Sequence, residues 1–210
     1  MERVSQSTAV RHWLRTEVEK DDRSPDVTAL SGREALDELL DRKPGAAAFV
    51  WRDAPVRWYR LDLTATEFAA LEVVEGPPDL GWRALSPDGT VRGAARRIDR
   101  EDPARLAAET GVDVSKVLSL AASPPDATDR VLVLATREGC VPWTVADGNH
   151  RAVATALSLR AGASYDPQAA YLGVGTNPVV SPLRERLCGV ARRAVSVLSA
   201  PFGRDGERRW

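Results

Sequence analysis

The chain has few of the residues that build stapled or metal-bound folds. Among its 210 residues are two cysteines, Cys140 and Cys188, and two histidines, His12 and His150. Two thiols exclude a disulfide-rich secreted scaffold. No zinc pattern of the CxxC or HExxH kind can be assembled from these four residues, so no metal ligand set is expected. A dominant charge is missing too: 29 basic and 30 acidic side chains leave a formal net charge of −1. That balance removes any global electrostatic argument for nucleic acid or an anionic membrane. The longest uncharged stretch, 167–183, is interrupted by Pro167, Gly173, Gly175, Pro178 and Pro182 and is too short and broken to span a bilayer. The first twenty residues are charged throughout and lack the apolar centre of a signal peptide. The expectation is a cytoplasmic protein with no membrane partner.

Apolar residues at 43% against 28% charged fit a globular chain rather than a disordered one. Helix starts are prominent. Ser31 with Glu34, and Thr64 with Glu67, are capping boxes. The first precedes Leu36, Leu39 and Leu40, the second Phe68, Leu71 and Val74. Asp102-Pro103 opens a helix that Gly111 closes, Asp113 caps a further one through Leu120, and residues 181–200 read as the last. Strands are predicted at 47–51 and 57–63, as a hairpin across Asp53-Ala54-Pro55, and at 131–135, 143–146 and 171–174. The continuous apolar run at 131–135 implies a strand covered on both faces. Residues 75–103 carry turn signals, with Trp82 as the one large anchor. These elements predict a mixed α/β fold, a small sheet with surrounding helices. An N-terminal helical segment (1–45) packs on the α/β domain (46–200), and 201–210 form a tail.

The chemistry concentrates in WTVADGNHRAVATAL, residues 143–157. A short strand runs into Asp147-Gly148-Asn149 and then a helix with Val153 and Leu157 on one face. Gly148 supplies the tight turn, and the first helical turn offers unpaired N–H groups at the positive end of the dipole. His150 and Arg151 stand in that turn, and backbone amides with an arginine fork are a means of holding phosphate. Gly148, Asn149, His150 and Arg151 are the candidate phosphate ligands. Asp147 and His150 are the candidate catalytic pair, Asp147 as base, metal partner or orienter of His150. The plainer reading is a turn with Asn149 as N-cap and Arg151 paired to Asp147.

The strand-DGNHR-helix arrangement, with small residues following, resembles the signature turn of the ParB/sulfiredoxin-like superfamily. The likeness extends from the WYRLDL strand near Trp58 to the YLGV strand near Tyr171, and only the DGNHR turn is specific. The resemblance implies a small nucleotide-binding α/β fold whose turn holds phosphates. Activities in that superfamily include CTP hydrolysis, free-serine phosphorylation and sulfinic acid reduction. Gly148, His150 and Arg151 match its phosphate-holding positions. Asn149 stands where sulfiredoxins place their nucleophilic cysteine, so that reaction is not expected. One clear helix follows Tyr171, so the helix-turn-helix region of the DNA-segregation members is not expected either. Fic-type AMP-transferases share DGN, but Trp143 stands where their essential histidine belongs and His150 replaces a glycine.

The resulting expectation is a nucleoside triphosphate, ATP or CTP with Mg2+, bound at the turn and either hydrolysed or used to phosphorylate a small molecule. The alternative is a non-catalytic regulatory module that binds nucleotide or nucleic acid. A second anion-binding loop is possible at Gly175, Thr176 and Asn177, although it lacks the lysine of a P-loop. The seven arginines after Ser181 offer a small basic patch. Trp82 and Trp210 are candidates to stack on a base, and His12 reads as structural.

Overall fold

The computed structural model describes residues 1–19, 25–50, 56–124, 126, 130–136 and 141–175. Among these residues five strands, β1 (Glu2–Val4), β2 (Val56–Leu63), β3 (Leu132–Thr136), β4 (Thr144–Asp147) and β5 (Gln168–Gly175), form one sheet in the order β1-β2-β5-β3-β4. β3 runs parallel to β5 and the other pairs are antiparallel. The expected mixed α/β class is therefore present.

Side-chain alternation divides the interior into two cores. In and just before β3, Leu132 and Leu134 face one side while Val131 and Val133 face the other, so a fully apolar strand is needed here. Helices α1 (Gln6–Val18), α2 (Gly32–Arg42) and α3 (Ala47–Val50) bury Trp13, Leu14, Leu39 and Val50 in one core. The other core takes residues from α4 (Ala65–Ala69), α5 (Gly81–Leu85), α6 (Val91–Arg100), α7 (Pro103–Thr110), α8 (Val114–Ala122) and α9 (Asn149–Arg160).

The caps behave as their residues require. Both capping boxes form, with Ser31 and Thr64 each accepting from the N3 amide. Asp102 and Asp113 cap α7 and α8, and Gly111 ends α7 at φ 71.

Three expectations are corrected. Residues 47–50 are helical, not extended, so no hairpin joins them to β2. Pro44 opens a 3-10 turn (Pro44–Ala46) that leads into the alanine-rich α3, and β2 pairs instead with β1 and β5. The helix after Thr64 stops at Ala69, because Leu71 and Val73 bond to other segments: Val91 N–H donates to Leu71 O, and Val73 N–H to Gly89 O. Residues 75–103 contain α5 and α6, anchored by Leu85, Val91 and Ile98 as well as Trp82. The predicted last helix, the tail, both cysteines and Trp210 lie outside the described residues.

The open edge of β4 is covered by the segment after α4. Glu72 N–H donates to Trp143 O and Val145 N–H to Glu72 O, both at 2.9 Å. That pairing fixes the strand that leads into the DGNHR turn.

Candidate functional site

β4 ends at Asp147, Gly148 turns the chain at φ 92, and α9 begins at Asn149. A side chain on Gly148 would place its Cβ 2.7 Å from Leu132 Cδ2 and 3.0 Å from Arg151 Nη2. The corner therefore needs glycine both for its backbone angle and for close approach. Gly148 is the N-cap, and Asn149, expected as the cap, is the first helical residue.

Asn149 is buried and bridges two backbones. Its Oδ1 accepts from Val74 N–H at 3.1 Å, and its Nδ2 donates to Val145 O at 3.0 Å. The side chain thus ties the start of α9 to β4 and to the segment covering the sheet edge, instead of facing a ligand.

Asp147 is buried with its two oxygens divided between cations. Arg151 Nη2 donates to Oδ2 at 2.8 Å, and Lys43 Nζ, from the end of α2, donates to Oδ1. Lys43 Nζ also donates to Glu17 Oε1 on α1 at 2.8 Å and lies 5.5 Å from the Trp13 ring centre. A chain of alternating charge, Glu17–Lys43–Asp147–Arg151, results. Burial works against the Lys43 charge, but attraction to Asp147 and Glu17 prevails and raises its pKa above the usual lysine value.

His12 on α1 adjoins this chain, its ring centre 5.0 Å from that of Tyr171. Burial first, then the positive charges of Arg151 and Arg15, push its pKa down to about 4, against the pull of Asp147 and a bond to the Val131 backbone. Its Nε2 is buried without a hydrogen-bond partner. His12 is a neutral packing residue at neutral pH.

His150 and Arg151 diverge, as successive residues on a helix must. The His150 ring meets Trp82 edge-on, with centroids 4.8 Å apart, so Trp82 packs on the motif. Arg151, with its side chain 15% exposed, forms part of the wall of a hollow of about 120 Å³. Arg130, Thr155, Ser158, Ser164 and Asp166 line the same hollow, and His150 and Asp147 do not. Arg130 Nη2 is 3.3 Å from Asp166 Oδ2. Of the second candidate loop, Gly175 ends β5, while Thr176 and Asn177 lie outside the described residues.

The five motif residues are thus contiguous but divided in task. Asn149 and Gly148 build the corner, Asp147 holds two cations, and Arg151 alone among them reaches the hollow. Sequence reasoning missed Lys43, Glu17 and Arg130. Lys43 lies 104 positions from Asp147, and no local pattern announces such a pairing.

Among the described residues, no group of three or more histidine, cysteine, aspartate or glutamate side chains could hold a metal ion. With both oxygens engaged, Asp147 does not fit the expected role of Mg2+ partner. Also among the described residues, no helix is long and apolar enough to cross a membrane.

Fold and site together define a mixed α/β protein with a partly buried charge chain at a strand–glycine–helix corner. Compared with protein-family models, curated proteins and solved structures, the chain matches none.

Proposed function

We propose that this protein is a binding module for a small phosphorylated ligand whose phosphate docks in the hollow beside Arg151. One observation carries the reading: a guanidinium at the first turn of a twelve-residue helix shares that hollow with Arg130 and the hydroxyl of Thr155. Arginine forks and hydroxyls are donors that phosphate oxygens accept from, and the ligand would displace the exposed Asp166 carboxylate from Arg130. The resemblance of residues 147–151 to the ParB/sulfiredoxin-like turn supports the same ligand class and a fold of that kind.

Size favours the phosphate alone as the buried part. Sites that enclose a drug-sized ligand measure roughly 300–1,000 Å³, so a hollow of about 120 Å³ takes a phosphate and leaves the rest of a nucleotide outside. Binding is favoured over hydrolysis or transfer because both oxygens of Asp147 are occupied by Lys43 and Arg151, which leaves it poorly placed to collect a substrate proton. His150 is turned toward Trp82 and is absent from the hollow.

The test is a calorimetric titration of the full chain with inorganic phosphate, ATP and CTP, each with and without Mg2+. At least one should bind, and Arg130→Ala should weaken that binding about tenfold or more, as loss of a charge-assisted contact implies. No binding of any probe ends the reading. Steady release of phosphate from ATP or CTP would replace it with an enzymatic one.

A further inference from the structure

The Glu17–Lys43–Asp147–Arg151 chain is larger than a structural tie requires. Lysine at the end of α2 could join the two N-terminal helices through Glu17 alone. It also reaches Asp147 at the end of β4, where it donates to Oδ1 while Arg151 Nη2 donates to Oδ2. The four side chains are 31% exposed or less. Of the four only Asp147 is buried, and an ion pair drawn out of water is a weak source of stability.

We propose that Lys43 is a positioning residue for the Arg151 site: by holding Asp147 from the far side, it keeps that carboxylate from cancelling the positive charge Arg151 presents to an anion. The inference rests on the phosphate reading and makes α1 and α2 part of the site. Charge explains the need. A lone aspartate bonded to Arg151 makes a neutral pair and adds a negative neighbour that repels an incoming phosphate. A second cation on Asp147 offsets that repulsion; Glu17 returns the sum of the four charges to zero, but it bonds to Lys43 and stands one link further along the chain than Asp147. The guanidinium, anchored through Nη2, is also held in one orientation at the hollow wall.

The test uses the full chain, with inorganic phosphate and ATP as probes, and the variants Lys43→Met, Lys43→Arg, Asp147→Asn and the double variant Lys43→Met/Asp147→Asn. Lys43→Met should raise the dissociation constant about fivefold, the effect of an unbalanced carboxylate acting through space on the anion. Lys43→Arg should restore most of the affinity. The double variant should recover too, because no carboxylate remains to repel the anion. A structural ion pair would be rescued in the same way, so the ratio of Lys43→Met to wild-type dissociation constants is also read at high salt. A loss due to repulsion shrinks there, and a ratio that salt leaves unchanged overturns the proposal. A folded Lys43→Met protein that binds like wild type, or a double variant as weak as Lys43→Met, overturns the proposal. If Lys43→Met does not fold, Lys43→Arg and the double variant still decide between these outcomes. Should wild type bind neither probe, the phosphate reading fails by itself. Lys43 is then judged from the Arg151 Nε–H resonance, which should shift in Lys43→Met and stay in place in Lys43→Arg. An unmoved resonance in Lys43→Met overturns the positioning role as well.

Discussion

Replacing Asn149 by alanine separates a ligand residue from a structural one. The amide accepts from Val74 N–H and donates to Val145 O, and the residue is 7% exposed. Alanine leaves both backbone groups without that partner in a site closed to water. A buried polar group left unsatisfied costs roughly 1–3 kcal/mol, so two together place the loss at about 2–6 kcal/mol. That is a large share of the roughly 5–15 kcal/mol that holds a typical domain together. Urea unfolding measures it: the midpoint should fall with little change in slope, because the surface exposed on unfolding is the same. Asn149→Asp should also destabilise, since a carboxylate keeps the acceptor for Val74 but sets oxygen against the Val145 carbonyl. An Asn149→Ala protein within about 1 kcal/mol of wild type that had lost phosphate binding would refute the bridging role and return Asn149 to the ligand set.

Gly148→Ala should cost about 2–4 kcal/mol, combining the left-handed backbone penalty with a Cβ driven into Leu132. Thermal and urea unfolding would reveal it, and a loss under about 1 kcal/mol would mean that the corner relaxes without strain. His12 should make stability fall on acidification. Its imidazole takes a proton near pH 6.5 when unfolded but only near 4 when folded. Between those values the unfolded chain binds more protons, so stability rises with pH by at most about 1.4 kcal/mol per unit. The slope should flatten in His12→Gln, and parallel profiles for the two proteins would exclude His12 as its source.

Helix starts were legible because their signals span three or four residues. Ser31 with Glu34, Thr64 with Glu67, and Asp102 with Pro103 each satisfy amides exposed at the first turn, whatever the rest of the chain does. The strand–glycine–helix corner was legible for the same reason. Misreadings arose where distant segments decided the outcome. Residues 47–50 had strand-like composition but follow a proline turn and pack Val50 into the N-terminal core. Leu71 and Val74 fitted a helical period, but Leu71 O accepts from Val91 N–H and Val74 N–H donates to Asn149 Oδ1.

The sequence by itself determined the α/β class, the caps and the glycine corner, because each depends on backbone preferences and bonds among near neighbours. Only the tertiary structure decided the division of labour inside DGNHR. Asn149 became a bridge because Val74 lies against it, His150 turned to Trp82, and Asp147 met a lysine from α2. Burial, charge pairing and open volume depend on which distant side chains share a neighbourhood, and chain order alone does not encode that proximity in any local pattern.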